Sequence, residues 1–327
     1  MNRLYLRGLA DLLLPRTCIV CGRRLGIHER HLCLPCAADV PYTRFWCQPH
    51  NPMADRFNAV LEQHRGTERM DYAYAAALMY YKGPYRSIPR ALKYHGNLSA
   101  GRFYGTLLGR HLASAPQFKD VDLVIPVPLH WTRRWSRGYN QAEILARALA
   151  EALSSGHDTN HPSAHDTNFP SCHDTNLPSG HDTKFPSGLG AVCRADLLVR
   201  ARRTRTQTRL SVEEKARNVA SAFQVPARFG PMVRLRCWAI RLVSNVLPIR
   251  RAVIGRASPR SVLASARHIV LIDDTFTTGA TLYACYAALR PYTSARISIA
   301  TLAVVEGTLS GTDGPHPGRD RPPSAGP

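Results

Sequence analysis

The sequence predicts an α/β fold, a mainly parallel sheet with a small cysteine-rich module ahead of it, and three observations carry that reading. Residues 75–80, 123–127, 268–272 and 297–305 are short, continuous apolar runs, the composition of strands buried on both faces. Stretches of helical composition, 141–153 and 282–289, alternate with them, and Pro291 ends the second. Four of the nine cysteines stand together near the start as two closely spaced pairs. A chain of 327 residues can bury a sizeable core, and two domains are the natural expectation.

Residues 1–15 carry Leu4, Leu9, Leu12 and Leu13 at helical spacing, but Asp11 interrupts the apolar region and no small-residue cleavage site follows. This predicts a short amphipathic helix rather than a signal peptide, and a cytoplasmic protein. The pairs Cys18-x-x-Cys21 and Cys33-x-x-Cys36 enclose a loop of eleven residues. Two such knuckles present thiolates at the angle a tetrahedral ion requires, so residues 1–60 read as a zinc-ribbon module whose metal is structural.

A main domain over 70–305 follows. The strand near 123–127 is stopped by Pro126-Val127-Pro128, and residues 130–141 form a basic, aromatic loop leading into a helix. Within it Arg133 and Arg137 suit a diphosphate clamp, Gly138 lets the backbone approach an anion, and Trp131 or Trp135 suits stacking on a base. Residues 157–188 repeat with a period of eight, each unit opening on His-Asp-Thr and holding a proline, so 155–190 reads as a disordered loop. Residues 226–266 are a basic insertion interleaving arginines with Val233, Leu235, Trp238 and Ile240, without an acid. It reads either as a nucleic-acid or anionic-membrane surface or as a loosely packed insert. The tail, 306–327, reads as disordered.

The most informative run is His268-Ile-Val-Leu-Ile-Asp273-Asp274-Thr275-Phe-Thr277-Thr278-Gly279-Ala280-Thr281. A buried strand delivers two acids to its end, then a loop of hydroxyls and glycine opens a helix. Free backbone N–H groups at a helix N-terminus suit a phosphate. The acids then serve ribose hydroxyls, while diphosphate and sugar oxygens hold Mg²⁺, a hard ion that prefers oxygen.

The net charge is +20 with a pI near 10.1, and of 43 basic residues five are lysine (82, 93, 119, 184 and 215) and 38 arginine. Such a field attracts polyanions, and arginine grips phosphate in a bidentate fashion. No run approaches the length of a membrane span.

The run 268–281 resembles the 5-phosphoribosyl-1-diphosphate (PRPP) motif of the type I phosphoribosyltransferases, with Thr275 where a small aliphatic residue is common. Pro126-Val127-Pro128 with Arg133 and Arg137-Gly138-Tyr139-Asn140-Gln141-Ala142 is similar to a motif of the ComF (competence protein F) family. Arg202, Thr206, Gln207, Leu210, Arg217, Asn218, Val219 and Ala222-Phe223 stand in that family's order, and Tyr81-Lys82-Gly83-Pro84-Tyr85 with Leu92-Lys93-Tyr94-His95-Gly96 looks like its first strand and helix. A zinc module ahead of a phosphoribosyltransferase-like domain is its architecture. The resemblance implies a protein that binds PRPP with Mg²⁺ through Thr275, Thr277, Thr278, Gly279, Ala280, Thr281, Arg133, Arg137 and Gly138, with Asp273 and Asp274 as catalytic acids. It implies a role in uptake or processing of single-stranded DNA, beside a competence helicase or DNA-processing proteins; the basic insertion falls outside the resemblance, and its alternative reading as an anionic-membrane surface would add a membrane association to a cytoplasmic protein. The alternative is an active transferase, a pentosyltransferase moving 5-phosphoribosyl from PRPP to an acceptor that no segment here marks.

Overall fold

The computed structural model describes residues 15–64, 71–94, 96–155, 190–201, 222–227 and 258–309. The expected N-terminal helix, the period-eight repeat and most of the basic insertion lie outside the described residues, as do His95 and Arg202, Thr206, Gln207, Leu210, Arg217, Asn218 and Val219 of the family order. The elements are α1 (Leu34–Ala38), α2 (Pro52–Gln63), β1 (Ala75–Tyr80), α3 (Ser87–Tyr94), α4 (Leu98–Ala113), β2 (Leu123–Pro126), α5 (Trp131–Arg137) and α6 (Gln141–Ser155). Then come β3 (Val192–Cys193), β4 (Val199–Arg200), β5 (Phe223–Gln224), α7 (Pro259–Ser265), β6 (His268–Phe276), α8 (Ala280–Leu289) and β7 (Arg296–Val304).

Five strands form a parallel sheet in the order β1-β7-β6-β2-β3, and β4 and β5 pair antiparallel as a separate ribbon. The central strands are buried along nearly their whole length, which is why their sequences are unbroken apolar runs rather than alternating ones. The order also locates the ligand edge. From β2 the chain crosses through α6 outward to β3, whereas from β6 it crosses through α8 the other way to β7. Right-handed crossovers in opposite directions place α6 and α8 on opposite faces, so a crevice opens between the carboxyl ends of β2 and β6.

One face is built by α4 against α6. Gly101, Gly105 and Gly109 recur every fourth residue, so they share one face of α4 and admit α6 at backbone distance. A Cβ on Gly105 would lie 2.7 Å from the Leu145 carbonyl oxygen and 2.9 Å from Ala148 Cβ. On the other face Phe57 of α2 meets Tyr286 of α8 edge-on, with centroids 6.2 Å apart.

Sheet register is pinned at the amino ends. Asp122 accepts the backbone N–H groups of Arg267 (2.9 Å) and His268 (3.1 Å), tying the start of β2 to that of β6. His268 is fully buried, with Nδ1 2.8 Å from Asp120 and Nε2 2.9 Å from Ser298 Oγ. Burial holds His268 below the usual imidazole range, and the hydrogen bond from His268 takes Asp120 down to about 2.

The N-terminal segment runs into this core. Residues 40–43 lie along the outer edge of β1: Tyr80 N–H donates to Pro41 O (2.8 Å), Thr43 N–H to Leu78 O (3.2 Å), and Tyr42 bridges antiparallel to Met79. Val40, Phe45, Trp46 and Phe57 join the same hydrophobic core as the sheet. Asn51 caps α2 through Met53 and Ala54 N–H while its amide donates to Ala75 O on β1 (2.9 Å).

Three local expectations change. β6 continues through the acids to Phe276 rather than ending at Ile272, because β7 stays in register with it as far as Val304. The basic stretch after β2 is not a loop: residues 131–137 wind into α5, capped by His130 and by Gly138 at φ 78°. Within the basic insertion, residues 259–265 form α7, with Ser258 as its cap and Leu263 fully buried, and residues 306–308 of the expected tail make a helical turn.

Candidate phosphoribosyl and metal sites

The acids stand on the carboxyl end of β6, at the crevice the strand order creates. Asp274 is 4% exposed, and its carboxylate takes the Lys93 ammonium at 2.9 Å and the Gln141 amide at 2.8 Å. Gln141 opens α6, and its own Oε1 accepts from Arg137 Nη1 (3.3 Å). The chain of contacts Lys93, Asp274, Gln141, Arg137 therefore joins the acid pair to the basic helix α5. Asn140 fixes α6 in that place: its amide donates to Val127 O beyond β2 (3.0 Å) and its Oδ1 accepts Ala142 N–H (3.2 Å).

Asp273 accepts the N–H of Asp274 (2.8 Å), and burial and the charge of Asp274 beside it push its carboxyl up to about 7. Lys93 and Arg200 oppose that rise. Arg200 on β4 feels both Asp273 and Arg133, so the antiparallel ribbon also belongs to this site. Thr275 is on the strand with its Oγ1 buried and without a hydrogen-bond partner.

After the strand, Thr277 and Thr278 are exposed and Gly279 starts α8. Gly279 has φ +79°, and a Cβ there would lie 3.2 Å from the Phe276 ring, so this turn accepts glycine alone. No side chain caps α8, and Ala280 N–H reaches Thr278 Oγ1 only at 3.5 Å. The first turn of α8, with Ala280 and Thr281, follows directly on the carboxyl end of β6, and its N–H groups have no intrahelical partner.

Beside the acids an open cleft of about 660 Å³ is lined by Lys93, Tyr94, Gly96, Thr132, Arg133, Ser136, Arg137 and Tyr139. Arg137 lies over the Tyr94 ring at 5.5 Å, and the Tyr139 hydroxyl donates to Leu92 O, which ties α3 to the turn after α5. The residues singled out in the sequence thus gather at one edge. Three members of the arrangement were not singled out as site residues: Lys93, Gln141 and Arg200. Lys93 did carry a signal, being one of only five lysines in a chain that otherwise uses arginine.

The second site is the cysteine cluster. The Sγ atoms of Cys18, Cys21, Cys33 and Cys36 all lie within 4.8 Å of one another, with Cys21 and Cys33 3.6 Å apart. Four sulfurs each about 2.3 Å from one tetrahedral ion are mutually about 3.8 Å apart, so the set fits tetrahedral zinc. The knuckle is built locally: Cys18 N–H donates to Arg23 O, Gly22 N–H returns to Cys18 O, and Gly22 turns at φ 74°. Burial alone would raise the Cys18 thiol, yet N–H groups of Cys21, Cys33 and Val20 hold it down to about 7, while burial and the neighbouring cysteine sulfurs push the Cys36 thiol up. This cluster is the one group of three or more metal-ligating side chains among the described residues. No helix among the described residues is long and apolar enough to cross a membrane.

No protein-family model matches the chain. It is similar to Competence protein F of Haemophilus influenzae, 23% identical over 271 residues that cover 81% of this chain and 86% of that protein. Together with the cysteine cluster, this relative supports the ComF resemblance drawn from the motifs.

Proposed function

We propose that this chain, a relative of the competence protein F family, binds PRPP with Mg²⁺ at the β2–β6 crevice and acts in the uptake or processing of single-stranded DNA. The observation that carries the reading is the link from Lys93 through Asp274 and Gln141 to Arg137, which sets two acids and a basic cleft against each other at one sheet edge. PRPP has the same polarity: vicinal hydroxyls between a diphosphate and a phosphate. Asp273 and Asp274 accept from the ribose hydroxyls, Arg133, Arg137 and Lys93 take the diphosphate, and the backbone and hydroxyls of residues 277–281 take the 5-phosphate. Mg²⁺, when bound with the ligand, neutralises the diphosphate and makes it a better leaving group. Asp273 and Asp274 would also stabilise positive charge developing at the anomeric carbon. The competence role rests on the relative's name and on the basic character of the chain.

Calorimetric titration of PRPP with Mg²⁺ tests the site. The wild-type chain should bind and Asp273→Asn/Asp274→Asn should not; equal binding by both would refute it. Because Asp273 must be ionised to accept hydroxyl protons, affinity should weaken as the pH falls below about 7. Release of diphosphate on addition of a base or amine would mark the chain as an active transferase rather than a PRPP-binding competence factor.

A further inference from the structure

Among the described residues the exposed large hydrophobics include only three aromatics: Tyr94 (71% exposed), Trp131 (66%) and Trp135 (86%). All three lie on the basic cleft or on the helix that walls it. Leaving a tryptophan in water forgoes a large burial gain, and single exposed apolar side chains are ordinary, but two tryptophans four residues apart on one short helix form a shared face. The wheel of α5 separates two functions. Thr132, Arg133, Ser136 and Arg137 line the cleft. Trp131 and Trp135 lie roughly 150° round the helix from the mean of those four, at 3.6 residues per turn. The His130 ring stands 5.6 Å from the Trp131 ring, tilted against it.

The helix is capped at both ends. His130, itself buried, caps its start, Gly138 N–H closes its end on Arg134 O, and Arg134 lies 3.7 Å from Glu143 of α6. Its seven residues hold three arginines and no acid. A flat aromatic pair on a capped helix in a positive field complements a chain of unpaired bases joined by phosphates.

We propose that the outward face of α5, Trp131 with Trp135 flanked by Arg134, is a base-stacking platform for single-stranded nucleic acid, distinct from the cleft face that takes a phosphoribosyl ligand. This deepens the proposed DNA role and rests on it, while the PRPP half of that reading stands apart. Stacking predicts dependence on bases as well as on charge, with little preference among sequences.

The test is fluorescence anisotropy with oligothymidylate and with an abasic oligodeoxynucleotide of equal length, at physiological salt. The wild-type chain should bind the oligothymidylate about tenfold or more tighter than the abasic strand. Trp131→Ala/Trp135→Ala should erase that difference, and Trp131→Phe/Trp135→Phe should restore part of it. Both tryptophans are exposed, so folding should survive, and unchanged circular dichroism checks that it does. Oligothymidylate binding unaffected by the alanine pair overturns the platform while leaving a DNA role intact. No strand binding by the wild type overturns the platform and the DNA role together, and PRPP calorimetry then decides the remaining half alone. Tryptophan-dependent binding to phosphatidylglycerol vesicles without base-dependent strand binding makes the face a membrane contact and overturns the proposal.

Discussion

Replacing Lys93 with methionine keeps the length of the stem and removes the charge that faces Asp274. The pair is 2.9 Å apart, with the lysine side chain 27% exposed and the aspartate 6%. At an effective dielectric near 20 the attraction is about 6 kcal/mol before desolvation is subtracted. Breaking a buried pair from one side typically costs 3–5 kcal/mol, and the lysine's partial exposure reduces this to about 2–3 kcal/mol. The neutral Gln141 amide would then be left to serve a carboxylate that also faces Asp273. The opposite change, Asp274→Asn, should cost little, since the freed ammonium can extend into the cleft and the repulsion on Asp273 disappears. Urea unfolding of wild type, Lys93→Met, Asp274→Asn and the double variant at pH 8 measures the coupling. The double variant should recover most of the loss. Effects that add within about 0.5 kcal/mol would show that the pair is not coupled and would refute this account.

Gly105→Ala should destabilise by about 1–2 kcal/mol despite its gain of about 1 kcal/mol in helix propensity, because the new methyl meets the Leu145 carbonyl at 2.7 Å. Gly101→Ala, whose methyl meets the Ile144 side chain instead, should cost less in the same thermal melts. Cys18→Ser should release bound zinc, seen by elemental analysis, and increase proteolysis before residue 40; unchanged metal content would refute the cluster as a zinc site. Burial holds His111 down to about 4, so its folded pKa lies below the unfolded value near 6.5. Its contribution is complete above pH 6.5 and fades as the pH falls toward 4, a loss of roughly 3 kcal/mol that His111→Leu should flatten. His268 acts in the same direction, whereas the depressed Asp120 carboxylate contributes above about pH 4 and is lost only nearer 2.

What the sequence made legible follows from where physical constraint is local. Ile269 to Ile272, Leu123 to Ile125 and the strand before Val305 announced themselves because a strand buried on both faces tolerates almost nothing but apolar residues. The cysteine pairs and the Thr-Thr-Gly turn were readable because a metal knuckle and a left-handed turn each demand a residue type at fixed spacing. The extension of β6 through Asp273 and Asp274 was not, since only the partner strand β7 holds two acids in extended backbone. Nor was the contact between Lys93 and Asp274, which joins residues far apart in sequence through the fold alone. The helical form of residues 131–137 was obscured by prolines before it and glycine after it, punctuation that a loop shares with a capped helix.

The strip of residues 40–43 against β1 has a bearing on how the protein stays dispersed. A parallel sheet has two rims of unsatisfied amide groups, each a template for another chain. At one rim β3 is two residues long and offers little to copy. At the other, β1 offers six, and the hydrogen bonds to Pro41 and Thr43 occupy that rim directly downstream of the cysteine knuckles. A metal held by those knuckles would brace the segment that covers the sheet's longer rim, which ties the cysteine cluster to edge protection as well as to local folding.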